Sequence, residues 1–325
     1  MSTIGGIHHV TAIAGDAQEN LDFYTGVLGL RLVKRSVNQD VTDTYHLFYA
    51  DADGHPGADL TFFPWPDLPP GRAGAGLANE VSLAVQPNTL GWWAERLGRA
   101  GVSVAEPETR FGERTLRFSD PHGLALALVE TGDPREFAAW RRSPVPAAHQ
   151  VRGIHAVRLH ERRLASTAGF LTAGMGFTAV GREGEWHRFA AEGGGSGRIV
   201  DLRETPGDPR GEWGVGAVHH VAWRVADEPA QQRARADVSA AGARPTGTID
   251  RFWFRSVYFK EPGGVLFELA TDGPGFSVDE SADSLGEHLV LPPWLERDRA
   301  AIERGLPPLR FGVSSLAEPG GVSHR

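Results

Sequence analysis

The chain has 325 residues, 41% hydrophobic and 23% charged, the balance of an ordinary globular protein with room for about two domains. Its 33 Lys and Arg against 41 Asp and Glu give a net charge of −8, and with no basic run this excludes an electrostatic footprint for nucleic acid or an anionic membrane. There is no cysteine, so disulfides, thiolate ligands and thiol nucleophiles are excluded, and any bound metal must rely on imidazole and carboxylate.

The opening Met1-Ser2-Thr3-Ile4-Gly5 lacks the basic and apolar regions of a signal peptide, and no apolar run approaches the ~18 residues of a membrane span; a cytoplasmic protein is expected. A β-rich run opens at Gly6. Asp16 with Glu19 forms a capping signal, Leu21, Tyr24 and Leu28 recur at helical spacing, and Gly29 ends the helix. Strands follow over residues 44–49 and 59–63. Gly71-Arg72-Ala73-Gly74-Ala75-Gly76 lacks the strand–helix context of a phosphate loop and reads as a flexible connector. A second β-rich run opens at Gly76, then a helix carrying Leu90, Trp93 and Leu97, then strands over 114–118 and 124–130. Residues 142–149 read as a linker. The third run opens at Gly153, before a weak helix over 165–174. The fourth opens at Gly216, with a helix over 230–241 and strands over 255–259 and 265–270. A tail with Leu291-Pro292-Pro293-Trp294 and a short charged helix ends the chain.

These elements repeat. Arg110-Phe111-Gly112-Glu113-Arg114-Thr115-Leu116-Arg117-Phe118-Ser119-Asp120-Pro121-His122-Gly123 aligns with Arg251-Phe252-Trp253-Phe254-Arg255-Ser256-Val257-Tyr258-Phe259-Lys260-Glu261-Pro262-Gly263-Gly264. Gly76-Leu77-Ala78-Asn79-Glu80-Val81 aligns with Gly216-Ala217-Val218-His219-His220-Val221, and Gly6-Ile7-His8-His9-Val10 with Gly153-Ile154-His155-Ala156-Val157. The chain is therefore two copies of one module, over residues 1–141 and 150–272, each split into two βαβββ units, with a tail over 273–325.

Comparing the copies separates what the scaffold needs from what only one copy has. His9 aligns with Ala156, His220 with Glu80 and Glu268 with Ala127. His9, His220 and Glu268 make one complete imidazole–imidazole–carboxylate set, and the complementary residues cannot hold a metal. Such a set suits non-haem Fe(II), with open positions for substrate and oxygen; Mn(II) also fits, and Zn(II) is easily mistaken for either. Neighbours on a strand face opposite sides, so only one of His8-His9 and one of His219-His220 can ligate; the member before Val keeps one register for both. His155 aligns with His8, which argues against a rival set of His155, His220 and Glu268. Glu268 sits in the apolar run Val265-Leu266-Phe267-Glu268-Leu269 and needs a partner, which Arg251 or Arg255 could also supply. His46, His55, His122, His187 and His288 lack equivalent placement and read as surface or loop residues. Tyr258 replaces Arg117 of the other copy, and a phenol beside a metal can donate a proton; Arg251 is matched by Arg110. Trp92, Trp93 and Trp253 read as core.

The paired copies with their His-His-Val openings resemble the vicinal oxygen chelate superfamily of glyoxalase I, bleomycin-resistance proteins and type I extradiol dioxygenases. The closer resemblance is to its hydroquinone-type ring-cleaving dioxygenase branch. It is carried by Ile7-His8-His9-Val10-Thr11-Ala12-Ile13, Leu28-Gly29-Leu30-Arg31-Leu32-Val33-Lys34-Arg35, Val37-Asn38-Gln39-Asp40, Thr44-Tyr45-His46-Leu47-Phe48-Tyr49 and Thr61-Phe62-Phe63-Pro64-Trp65, and runs over residues 4–310. The resemblance implies an α+β fold of two tandem modules forming open β-barrels. Units one and four close around the metal, and units two and three form an empty partner barrel. It places the Fe(2+) ligands on His9, His220 and Glu268, with Mn(2+) as the alternative ion. Tyr258 and one of His8 or His219 would move protons, Arg251 would steer the substrate, and Thr11, Arg251 and Tyr258 would contact it. The implied partners are a small dihydroxylated aromatic and O2, in a monomer or a homo-oligomer. A glyoxalase-like isomerase or lyase would need a fourth protein ligand, and a non-catalytic binding or resistance protein would need no full set.

Overall fold

The computed structural model describes residues 3–312; residues 1–2 and 313–325, at the start of the first module and the end of the tail, lie outside the described residues. Four βαβββ units follow one another. The first comprises β1 (Ile4–Ala14), α1 (Ala17–Leu21), β2 (Arg31–Val37), β3 (Tyr45–Ala50) and β4 (Asp59–Pro64). The second comprises β5 (Leu77–Val85), α2 (Leu90–Arg99), β6 (Glu108–Arg110), β7 (Glu113–Ser119) and β8 (Ala125–Glu130). The third comprises β9 (Ile154–Glu161), α3 (Leu164–Ala173), β10 (Thr178–Glu183), β11 (Trp186–Ala190) and β12 (Ile199–Glu204). The fourth comprises β13 (Val218–Val225), α4 (Glu228–Ala240), β14 (Ile249–Asp250), β15 (Arg255–Lys260) and β16 (Leu266–Thr271).

The units do not pair in chain order. One eight-stranded sheet runs β14-β15-β16-β13-β1-β4-β3-β2 and so joins units four and one; the other runs β10-β11-β12-β9-β5-β8-β7-β6 and joins three and two. Each curls into an open half-barrel with its helices outside, and one apolar core runs through both. No helix among the described residues is long and apolar enough to cross a membrane.

Asp16 caps the first helix, its carboxylate accepting the Glu19 N–H at 2.8 Å. After Leu21 the helix widens into a π-helical stretch, Asp22–Val27. The Thr25 hydroxyl donates to the Leu21 carbonyl at 2.7 Å, a side-chain bond that competes with the α ladder. The widened turn buries Tyr24, whose hydroxyl donates to Asp120 Oδ2 at 3.0 Å in the β7–β8 turn of the second unit. α4 starts under an Asp227 cap with Pro229 in its first turn.

Two regions differ from the sequence reading. The connector expected to be flexible is held by its own repeat copy: Gly71 N–H donates to Val215 O at 2.8 Å, Arg72 N–H to Glu212 O at 3.0 Å and Gly211 N–H to Ala75 O at 3.0 Å. A Cβ at Gly74 would run into Pro209 O and one at Gly214 into Pro69 O, so the crossing requires glycine on both sides. The tail is also more than a terminal helix, α5 (Arg299–Gly305). It lies along β2, where the fully buried Lys34 Nζ donates to Asp279 Oδ1 at 2.7 Å, Glu280 Oε2 at 2.5 Å and Phe276 O at 3.0 Å. Val290 N–H adds a bond to Arg35 O at 2.9 Å.

Candidate metal centre

Strand register builds the site. β1 and β13 are antiparallel with His9 opposite Ala222 and Thr11 opposite His220; β13 and β16 are parallel with Ala222 beside Glu268. His9, Ala222 and Glu268 thus form one row across three strands, and His220, two residues from Ala222, shares their face. The structure brings His9 Nε2 to 3.2 Å from His220 Nε2 and 3.4 Å from Glu268 Oε2, with His220 Nε2 3.0 Å from the same oxygen. Exposures are 2%, 4% and 0%. Among the described residues this is the one such group of His, Cys, Asp or Glu whose ligand atoms converge.

The donor set fits a divalent cation. Ser256 Oγ donates to Glu268 Oε1 at 2.5 Å, but Oε2 is sealed from water and receives no aligned hydrogen bond although both Nε2 atoms stand beside it. Three electron-rich atoms packed against one another in the interior are costly without a positive charge between them. Burial opposes charge on Glu268, yet the imidazoles of His9 and His220 hold its carboxyl well below the usual range. Burial lowers His220 in turn, so it favours the neutral form that ligation requires.

His8 and His219 stand behind His9 and His220. His8 Nδ1 is 2.9 Å from His9 Nδ1, and His219 Nδ1 is 2.8 Å from His220 Nδ1. Each contact holds one proton, and a ligand using Nε2 must carry it on Nδ1 and donate it backwards. Burial first, then the adjacent ligand imidazole, pushes both His8 and His219 down to about 3, leaving them neutral acceptors. Neither is on the cavity wall, because strand alternation turns them away from it. Their geometry sets the tautomers of His9 and His220 and leaves neither His8 nor His219 at the cavity.

The cavity in front of the cluster is small, about 40 Å³, with Phe48, Phe63, Trp253 and Phe254 as apolar walls. Trp253, expected in the core, does double duty here. Arg251 and Tyr258 also reach the wall. Burial, then Glu268, pushes the Tyr258 hydroxyl above the ordinary phenol range and keeps it protonated. Tyr258 lies opposite Glu268 on the β15–β16 pairing, with the Arg251 guanidinium 5.5 Å from its ring centre. Asp40 accepts from Arg251 at 2.9 Å, and Gln39 Nε2 donates to the Arg251 carbonyl at 2.9 Å. Burial works against the Arg251 charge, but Tyr258 and Asp40 more than offset it and the guanidinium stays charged. Thr11 is behind the wall and not on it, with its Oγ1 3.0 Å from His220 Nε2 and 2.7 Å from Thr61 Oγ1.

His46 is the residue the sequence reading missed. It lines the cavity between the rings of Phe48 and Phe63, at centroid distances of 3.8 and 4.4 Å, and its Nε2 is 3.0 Å from Thr61 Oγ1. The alternation of His46 with Phe48 along β3 was the available signal. His155 belongs to the other sheet, against Ser196 and Glu113, so the rival triad is not assembled. His55 pairs with Asp51 and His122 with Glu19, both away from the cluster.

In the partner barrel the equivalent row is Ala156, Ser82 and Ala127, with Glu80 opposite Arg158. Arg110 Nη1 donates to Glu80 at 2.6 Å, and Arg188 Nε donates to Asp201 at 2.8 Å. Ion pairs fill the space that His9, His220 and Glu268 occupy in the first barrel.

A family model described as the glyoxalase/bleomycin resistance protein/dioxygenase superfamily matches twice, over residues 6–128 and 153–269. MhqO of Bacillus subtilis (strain 168), a candidate ring-cleaving dioxygenase, is 42% identical over 311 residues, 96% of this chain and 98% of its own. A chlorohydroquinone/hydroquinone 1,2-dioxygenase of Sphingobium indicum is 34% identical over 299 residues, 90% of this chain and 93% of that protein. A crystal structure of a candidate dioxygenase from Bacillus subtilis matches with a TM-score of 0.90 at 39% identity, covering 97% of this chain and 100% of that one. This chain belongs to the glyoxalase/bleomycin resistance protein/dioxygenase superfamily, and within it groups with the ring-cleaving dioxygenases.

Proposed function

We propose that the protein is an Fe(II)-dependent dioxygenase that opens the ring of a hydroquinone-type aromatic and adds both atoms of O2 to the product. The observation that carries this reading is the convergence of His9, His220 and Glu268 at an aromatic-walled cavity. The 34% identity to a hydroquinone dioxygenase supports it. His9 Nε2, His220 Nε2 and Glu268 Oε2 would hold the metal. Bound Fe(II), with Mn(II) the alternative, supplies open positions for a substrate oxygen and O2 and an electron path between them.

The rest of the chemistry belongs to the chain. Phe48, Phe63 and Phe254 enclose the ring and exclude water, which strengthens every polar contact inside. Arg251, braced by Asp40 and Gln39, presents a permanent cation to a phenolate. Tyr258 keeps its proton and can donate it to developing negative charge on a substrate oxygen. His8 and His219 hold the ligand rings in the tautomer with a bare Nε2. The cluster contains one carboxylate among the described residues, so a glyoxalase-like reaction would lack its fourth ligand.

The test is O2 uptake by Fe(II)-loaded protein with hydroquinone and with catechol. Uptake with hydroquinone, one O2 per ring lost, is expected. Uptake with catechol alone would move the protein to another branch, and absence of bound iron under anaerobic reducing conditions would favour a non-catalytic binding protein.

A further inference from the structure

Trp213 is a large apolar side chain left 44% exposed, in the connector that leads into β13. The connector crossing fixes its place from both sides. Before it, Glu212 N–H donates to Arg72 O at 2.9 Å and Arg72 N–H donates back to Glu212 O at 3.0 Å. After it, Gly214 lies so close to Pro69 O that no side chain fits. Between these two points the indole is laid nearly flat on the His219 ring, with centres 4.4 Å apart and planes at 21°. Phe63 meets the same imidazole edge-on at 5.6 Å, and Trp65 stands at 6.2 Å.

The other copy shows that the crossing itself does not require this tryptophan. Gly71-Arg72-Ala73-Gly74-Ala75-Gly76 aligns with Gly211-Glu212-Trp213-Gly214-Val215-Gly216, so Trp213 replaces Ala73 just as His219 replaces Asn79. Asn79 is tied to its own connector by hydrogen bonds: Gly74 N–H donates to Oδ1 at 2.9 Å, and Nδ2 donates to Gly74 O at 3.0 Å. At His219 the indole stack stands in their place. His8 makes a second contrast. It is 3% exposed and bonds to the Thr271 backbone as well as meeting His9. His219 is part-buried, and among the described residues the one hydrogen bond of its side chain is the 2.8 Å contact with His220 Nδ1. Its ring plane is therefore held by aromatic contact, which needs no charge on either ring. We infer that Trp213 is a positioning residue for the cluster. It fixes the plane of His219 and, through the Nδ1–Nδ1 contact, the orientation in which His220 turns Nε2 toward Glu268. This inference rests on the reading of the cluster as a metal centre.

Anaerobic Fe(II) titration of the full chain, with bound metal counted after gel filtration, tests it without turnover. Trp213→Ala is expected to bind about tenfold more weakly than the wild type, and His219→Ala about 10–100-fold more weakly. Trp213→Phe, which keeps a flat ring over His219, should recover most of the affinity. The double variant Trp213→Ala/His219→Ala should bind no more weakly than His219→Ala, because the indole acts only through that imidazole. In metal-free protein with 15N-labelled histidine, NMR should find the His220 proton on Nδ1 in the wild type and divided between both nitrogens in Trp213→Ala. Wild-type affinity in Trp213→Ala, or losses that add in the double variant, would overturn the inference. A wild type that binds no Fe(II) would instead count against the metal centre, and the NMR comparison would still decide the role of Trp213.

Discussion

At the scale of single residues, the site is a small number of atoms whose protonation is fixed by what stands behind them. His9→Ala should remove one of three ligands and lower metal affinity by at least about 100-fold, with the fold intact, as read by metal content after gel filtration and by circular dichroism. Ser256→Ala leaves Glu268 Oε1 buried without its 2.5 Å donor and should cost about 1–3 kcal/mol in denaturant unfolding of the metal-free protein. The convergence of His9, His220 and Glu268 was legible because the two copies differ at those positions while the scaffold around them is the same. The tautomer-setting role of His8 and His219 was not, since a dipeptide says which residue faces a cavity but not which ring nitrogens meet. His46 was hidden for a different reason. Its partner barrel equivalent is Trp186, which lies opposite Arg203 as His46 lies beside Phe63, so no shared histidine marked the position.

At the scale of elements, two contacts join parts of different sheets and carry testable consequences. Glu161 at the end of β9 and Glu261 in the β15–β16 turn share one buried place. Glu261 accepts from Thr167 Oγ1 at 2.7 Å and from Val265 N–H at 2.8 Å, whereas both Glu161 oxygens lack a donor. Burial, then the nearby Glu261 charge, pushes the Glu161 carboxyl up to about 8. A folded-state pKa raised above the unfolded value of about 4.3 gives a contribution that is complete below that value and lost as pH rises through about 8. The melting temperature should therefore fall between pH 6 and pH 8.5, and Glu161→Gln should flatten that fall. The second contact is the crossing of the connectors. Gly74→Ala or Gly214→Ala forces a methyl against an opposing carbonyl and should cost about 1–3 kcal/mol, measured by urea unfolding. Helix caps and apolar spacing made α1, α2 and α4 readable from the sequence. The π-helical widening and the connector crossing were not, because the first turns on a local Thr25 side-chain bond that helical spacing does not announce and the second on hydrogen bonds to partners distant in the chain.

For the whole molecule, exchange of units between the two sheets is the governing feature. Unit one completes its sheet only with unit four, and the metal-site residues come from β1, β13 and β16. Fragments spanning residues 1–141 and 150–325 should each fail to bind metal, and co-expression should restore binding, as read by metal content of the co-purified pair. The repeat alone made four units legible, but repeats do not state which copies pair; that follows from β1 meeting β13 edge to edge. The same pairing sets a clock. β13 begins at residue 218 and β1 ends at residue 14, so 204 residues must be added before that edge of β1 can be covered. At roughly 5–20 residues per second the ribosome leaves it open for about 10–40 s. During that interval the open edge of β1 is also exposed to the same strand of a neighbouring nascent chain.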